Sequence, residues 1–291
     1  MASKKVLSIS INGGGALGIG PLAFMTRLEQ DIGKSLSKTS VAFSGTSTGA
    51  IIAACFNEGM SAHDIFDLYK NNLKKIFTKT PYYKRILPKQ PKYDNKNLIS
   101  LLKTNLSGKI DEWDKPIFIT TTRMNSISVE KIWDIDDKNV DKWFAVLTSV
   151  SAPTYFDVIE KDGFSYCDGG MWANDPIAVL QSGLQNTKYK NKTKILSFDT
   201  GMTKINTSKG NKTLIGWASY LLSNWIARTG LSNYHFVTSN IGKENVFRCS
   251  PVVGKEYDMD DISEETVQTV IKIWTEYYES VREDLLKWLK E

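Results

Sequence analysis

The sequence predicts an α/β fold, a three-layer sandwich in which a central, mostly parallel sheet is flanked by helices. Three observations predict it. Residues 5–58 alternate apolar runs with helical periodicity in the order strand, loop, helix, strand, turn, helix, the βαβα pattern of a parallel sheet with right-handed crossovers. Both of the first strands run into glycine clusters, Gly13-Gly14-Gly15-Ala16-Leu17-Gly18 and Gly45-Thr46-Ser47-Thr48-Gly49. The residues after the second cluster, Ala50-Ile51-Ile52-Ala53-Ala54-Cys55-Phe56, are small and apolar, as suits a helix packed tightly on a sheet.

Each element follows from its pattern. Residues 5–11 form a buried strand, and 19–30 a helix with Leu22, Met25 and Leu28 on one face. A second strand spans about 40–44. Further strands are expected at 116–122, 129–134 and 193–199, and further helices at 62–77, 95–104, 139–149 and 213–228. The segment Asp261–Glu291 is a long amphipathic helix, with Val267, Val270, Ile271, Trp274, Tyr278, Val281, Leu285 and Trp288 at helical spacing. Asp261 and Glu264 supply a D-x-x-E start signal. This helix is expected to pack on the core, with an interfacial position on lipid as the second reading. Without repeats, low-complexity stretches or a clear linker, residues 1–291 are expected to form a single domain. The motifs fall in 5–201, and 202–291 is a helical C-terminal extension packed on it.

The chain has 291 residues, a net charge of +5 and 41% hydrophobic residues, ordinary values for a globular protein. No apolar run is long enough for a membrane span, and the short run after Lys4-Lys5 leads into the first glycine cluster rather than to a cleavage site, so no targeting segment is expected. Cys55, Cys167 and Cys249 are too few and too far apart for a disulfide framework or a zinc site; free thiols in a cytoplasmic protein are expected, with no metal and no cofactor. Residues 70–96 carry nine Lys and Arg against one acid, Asp94, interleaved with Phe77, Tyr82, Tyr83 and Tyr93. A solvated face is one reading. Peripheral contact with anionic membrane through Lys84, Arg85 and Lys89 is the other. Nucleic acid is not expected, because no nucleic-acid motif accompanies the patch.

G-x-S-x-G places a serine on a tight strand-to-helix turn, and a glycine-rich loop opening a helix can aim backbone N–H groups at a developing oxyanion. Ser47 is therefore the candidate nucleophile, Gly45 and Gly49 shape its elbow, and Gly13, Gly14 and Gly15 are the candidate oxyanion donors. A serine needs a base. His63 and His235 are the only histidines. His63 opens a helix and His235 follows one; a Ser47…Asp…His235 order would match an α/β-hydrolase triad, although Ser47 follows only the second strand. The other candidate base is Asp168, which precedes Gly169-Gly170 and so could be approached closely by another segment. G-x-G-x-x-G also permits a dinucleotide site, but the second strand ends in Phe43-Ser44-Gly45 with no acid for a ribose.

Five motifs in order resemble the patatin-like phospholipases: the glycine loop at 13–18, Gly45–Gly49, Ser149-Val150-Ser151-Ala152-Pro153-Thr154-Tyr155-Phe156, Asp168–Pro176, and Ile195–Gly201. The resemblance covers about residues 5–201. It implies a Ser47–Asp168 dyad without histidine, an oxyanion loop at Gly13–Gly15, no metal requirement, and hydrolysis of acyl esters of phospholipids or other membrane lipids through an acyl-enzyme. A catalytically inactive lipid-binding module is the alternative. Three positions depart from the family pattern. Asn12 stands where Asp is frequent, Leu17 where Arg or Lys is frequent, and Asp199 where the residue is usually small. Leu17 removes a cation beside the loop and leaves the backbone donors intact.

Overall fold

The computed structural model describes residues 5–80, 91–202, 230–254 and 257–291. Its first strand, β1 (Val6–Ile11), alternates Leu7, Ile9 and Ile11 with Ser8 and Ser10, and all five are buried. A 3-10 turn at Gly15–Gly18 leads into α1 (Ile19–Ile32), and a short helix, α2 (Leu36–Thr39), precedes β2 (Ser40–Gly45). The helix α3 (Thr48–Asn57) is buried almost throughout. A capping box of Ser61 and Asp64 opens α4 (Ala62–Ile76), each satisfying a backbone N–H of the other's residue. Next come α5 (Lys96–Asn105), β3 (Ile117–Arg123), β4 (Glu130–Trp133) and α6 (Lys142–Val150). Then follow β5 (Ile159–Lys161), β6 (Phe164–Asp168), α7 (Gly170–Ala173), α8 (Ile177–Leu184) and β7 (Thr193–Phe198). The described chain closes with α9 (Gly230–Ile241), β8 (Val246–Cys249) and α10 (Glu264–Lys290).

The strands form one mixed sheet in the order β5-β6-β3-β2-β1-β7-β8, with β4 also paired to β3. The run β3-β2-β1-β7-β8 is parallel, and β4, β5 and β6 join antiparallel at the β3 side. One face carries Ile9, Ile11, Phe43, Ile119 and Phe198 against α1, α3, α6 and α10; the other carries Ala42, Phe118 and Ile195 against α8 and α9. This is the expected three-layer α/β sandwich. Each expected strand is present. The three not anticipated, β5, β6 and β8, are three to five residues long and each includes a charged residue, so no long apolar run marks them. The expected helix at 213–228 and the patch residues Lys84, Arg85 and Lys89 lie outside the described residues. All three cysteines are buried and unpaired.

Two local expectations are corrected. The cap of α10 is Ser263, whose hydroxyl accepts from Thr266 N–H, rather than Asp261. The Asp261 carboxylate lies one step outside, accepting from Ser263 N–H and the Thr266 hydroxyl. His235 does not follow a helix but sits within α9, exposed.

The helix α10 packs along α1. Trp274 and Tyr278, 0% and 1% exposed, lie around Phe24, with ring centroids 6.1 and 4.9 Å away, and Phe24 also meets Phe198 of β7 at 5.4 Å. Edge-to-face geometry adds to the burial. Gly20 permits this approach: a Cβ there would fall 2.1 Å from the Trp274 ring. At the far end Arg282 donates to both oxygens of Asp31 at 2.5 and 2.8 Å and the Tyr278 hydroxyl donates to the same carboxylate; these bonds hold its pKa down to about 2.

Because Trp274 fills the space against Gly20, Phe24 and Phe198, Trp274→Ala is expected to destabilise the fold by about 3–5 kcal/mol, the usual range for removing a buried aromatic. Equilibrium denaturation measures it; a loss below about 1 kcal/mol would show that α10 contributes little to the core.

Candidate active site

The strand β2 ends at Gly45, and two residues later Ser47 takes φ 53° and ψ −124°, a left-handed conformation strained for a residue with a Cβ. Ser47 is the N-cap of α3, so its hydroxyl projects where helix dipole and unpaired N–H groups favour negative charge. The turn closes only because Gly49 lacks a side chain: a Cβ there would fall 2.1 Å from the Ile11 carbonyl oxygen. Thr46 is fixed beneath by hydrogen bonds to the Thr120 hydroxyl and the Ala173 carbonyl, both 2.6 Å.

Asp168 ends β6 and pairs across the antiparallel register with Thr121 of β3. Its carboxyl faces the Ser47 hydroxyl and accepts, at 2.7 Å, from Gly170 N–H. Burial pushes its pKa up to about 6, against the downward pull of those two groups. The segment at the end of α6 braces both partners. The Ser149 hydroxyl accepts from Ser47 N–H at 2.9 Å, and the Ser151 carbonyl accepts from Asp168 N–H at 3.0 Å. The Ser149-Val150-Ser151 stretch therefore sets the spacing of the serine and the aspartate.

The glycine loop lies beside them. Gly13 N–H donates to the Asn174 carbonyl at 3.1 Å, so it is already engaged. Gly14 and Gly15 N–H have no backbone partner among the described residues. The loop is held from several sides: Ala16 N–H donates to Met259 O at 2.7 Å, and the Tyr69 hydroxyl donates to Gly15 O at 2.5 Å while lying 2.6 Å from the Thr48 hydroxyl.

Ser47, Asp168 and the loop open into a cavity of about 460 Å³. One arm is apolar, lined by Ile51, Ile76, Phe77, Leu98, Val150 and Phe156. The opposite wall is polar and holds a group that sequence reasoning missed. Arg248 of β8 reaches Asp175 Oδ2 at 2.5 Å and Asp199 Oδ2 at 3.7 Å. With its amide oriented for hydrogen bonding, Asn12 donates to Asp175 Oδ1 at 3.1 Å. This accounts for two departures noted in the sequence. An acid at position 12 would face the Asp175 carboxylate, and Asp199 provides Arg248 with a second partner. Burial pushes Asp199 up to about 6, with Arg248 pulling the other way. Neither histidine lines the cavity: His63 lies on α4 beside Asp67 at 3.6 Å, and His235 is exposed on α9.

The patatin-like phospholipase family model matches residues 9–180, more than half of the chain. The chain belongs to the patatin-like phospholipase family. The match takes in the glycine loop, the G-x-S-x-G turn and Asp168. Among curated relatives, Patatin-like protein 2 of Arabidopsis thaliana is 26% identical over 269 residues, 76% of this chain and 65% of that protein. The cGAMP-activated phospholipase of Vibrio cholerae is 25% identical over 202 residues, 60% of this chain and 56% of that protein. This chain thus spans somewhat over half the length of the patatin-like relatives it matches. Human GIVD cytosolic phospholipase A2 shares the fold, with a TM-score of 0.55 at 9% identity, covering 98% of this chain and 60% of that one.

The raised pKa of Asp168 gives a stability signature. The folded state holds the proton more tightly than the unfolded chain, whose carboxyl titrates near 3.8. The group's contribution is therefore fully present below that value and is lost as pH rises through about 6. Asp168→Asn imitates the protonated form. Its melting temperature relative to the native chain should rise between pH 4 and about pH 6 and then level off, with Asp199 titrating alike in both proteins. Thermal melts across that range check it; a pH-independent difference would mean that Asp168 titrates near its ordinary value.

Proposed function

We propose that this chain is a lipid acyl hydrolase of the phospholipase A or lysophospholipase type, working through Ser47 and Asp168. The observation that carries the reading is the buried Asp168 carboxyl facing the Ser47 hydroxyl in a cavity with a largely apolar lining. With its pKa near 6, Asp168 is ionised at neutral pH yet basic enough to take a proton. Ser47 Oγ attacks the ester carbonyl as its proton moves to Asp168, and the oxyanion forms against the N–H groups of the glycine loop. Collapse expels the alcohol, which takes the proton from Asp168. Water then gives a proton to Asp168 and attacks the acyl-enzyme; the fatty acid leaves and the proton returns to Ser47. The apolar arm suits a fatty chain. The exposed positions of both histidines favour the dyad over a triad.

The lipid reading is supported at the rim. Met171, Met202 and Leu231 line the cavity while 41%, 49% and 55% exposed, a placement that suits contact with a lipid surface. Among the described residues no helix is long and apolar enough to cross a membrane, so the association proposed is peripheral, aided by Lys84, Arg85 and Lys89. Residues 202–291 are proposed to belong to the same catalytic domain as 5–201.

Ser47→Ala and Asp168→Asn are each expected to lower turnover of a soluble ester about a thousandfold or more, while His63→Ala and His235→Ala keep most of it. In the native chain kcat/KM should rise with pH through about 6 as Asp168 ionises. A fluorophosphonate should label Ser47, identified by peptide mass. Loss of turnover in folded His235→Ala would replace the dyad by the triad.

Charge reversal of Lys84, Arg85 and Lys89 to Glu should weaken co-sedimentation with anionic vesicles, since each cation near such a surface contributes about 1 kcal/mol, an attraction that weakens as salt rises. Soluble-ester turnover should stay unchanged. Equal vesicle binding by both proteins at low salt would leave these residues a solvated face.

A further inference from the structure

The polar wall of the cavity contains a chain of contacts that the dyad does not use, and it ends on the glycine loop. Thr200 follows β7. Its hydroxyl donates to Gly13 O at 3.3 Å, and Asn174 Nδ2 donates to the same oxygen at 3.3 Å. The peptide linking Gly13 to Gly14 is planar and trans, so its C=O and N–H point in opposite directions. Holding the Gly13 carbonyl toward Thr200 and Asn174 therefore turns the Gly14 N–H away from them. Gly14 lines the cavity into which Ser47 opens. The Thr200 side chain also presses on the loop, since a Cβ on Gly14 would lie 2.3, 2.5 and 2.6 Å from three of its atoms.

Thr200 is itself fixed. Asp199 accepts from Gly201 N–H at 2.7 Å, and Asp199 N–H donates to Cys249 O at 3.2 Å, so the turn at 199–201 is pinned on both sides of Thr200. The Ser250 hydroxyl donates to the outer carboxylate oxygen of Asp199, which also faces Arg248 at 3.7 Å. Arg248 continues to Asp175, whose carboxyl receives Asn12 and Ile177 N–H. A small residue at 199 would keep the backbone bond to Cys249 O but supply none of the carboxylate contacts. One guanidinium thus ties the residue before the glycine loop, Asn12, to the turn that presses on the loop from outside.

We propose that Thr200 is a positioning residue that aims the Gly14 N–H at the oxyanion, and that the buried Asp199–Arg248 pair holds Thr200 in place for this. The inference rests on the proposed Ser47–Asp168 chemistry. Thr200 touches no reacting atom. Its hydroxyl fixes one edge of a peptide whose other edge stabilises charge that is larger in the transition state than in the bound ester. Its loss should therefore lower kcat and leave KM nearly unchanged.

The test compares the native chain with Thr200→Val, Thr200→Ser and Asp199→Ala. It reads the second-order rate of fluorophosphonate labelling at Ser47 and the kcat and KM of a soluble ester. Removing an oxyanion donor outright lowers kcat about a hundredfold to a thousandfold; mis-aiming one in Thr200→Val should lower labelling and kcat by about tenfold to a hundredfold. Thr200→Ser retains the hydroxyl and should recover most of the rate, while Asp199→Ala should fall between the two. Native labelling speed in Thr200→Val overturns the proposal. So does a Thr200→Ser protein as slow as Thr200→Val, which would assign the effect to the methyl group's packing. Native speed in Asp199→Ala overturns the supporting role of the ion pair. A native chain that is not labelled at Ser47 would overturn the dyad as well, so the two failures are distinguishable.

Discussion

Everything at this site depends on how closely α3 comes to the ends of β1 and β2. The main-chain oxygen of Ile11 occupies the space that a Cβ on Gly49 would take. That contact forces the chain to turn within two residues of β2 and leaves Ser47 in a left-handed conformation, which an isolated peptide would abandon. The strain persists because neighbours over-determine it. Thr46 is bonded to β3 and α7, Ser47 N–H to Ser149, and Ala50 N–H to Ser47 O at 2.9 Å. The serine is thereby held at a helix N-terminus.

The carboxylates show how burial and partners divide labour. Asp31 lies near the surface, is bound by Arg282 and Tyr278, and stays ionised under all ordinary conditions. Asp168 and Asp199 are buried and pushed upward, but in different company. Asp168 faces a neutral hydroxyl and a single N–H, so its charge is poorly compensated and its affinity for a proton is high. Asp199 faces a guanidinium, a hydroxyl and an N–H. The first environment suits a group that exchanges a proton. The second suits one that holds a turn, and removing one member of such a buried pair leaves the other uncompensated.

Much of the fold was legible because its central strands are apolar runs bounded by glycine, as in β1, β2 and β7. The serine and aspartate were legible because G-x-S-x-G and D-G-G are local patterns. What stayed hidden depends on pairing across the chain. The strand β8 contains Arg248 and has no period of its own; its strand character comes from lying beside β7. Arg248 looks like a surface charge until its partner Asp175, separated by 73 residues, is brought against it. The engagement of Gly13 N–H by Asn174 is equally invisible, since a glycine run does not say which of its amides is free. At Asp261 the acidic start signal was real but displaced: the carboxylate supports the Ser263 cap instead of serving as one.

The bond from Ala16 N–H to the Met259 carbonyl joins the glycine loop to the segment that leads into α10. The same segment is anchored to the Tyr93 hydroxyl through Asp260. Proteins open in cooperative units, and the sheet need not open with its flanking helices. An excursion that lifts α10 from α1 would pull Met259 from the loop while β1, β2 and β7 remain paired. The amide of Ala16 would then exchange with solvent at the rate of helix undocking rather than at the far slower rate of global unfolding. One of the loop's tethers thus depends on the packing of Trp274 on Gly20, a contact far along the chain from the loop itself.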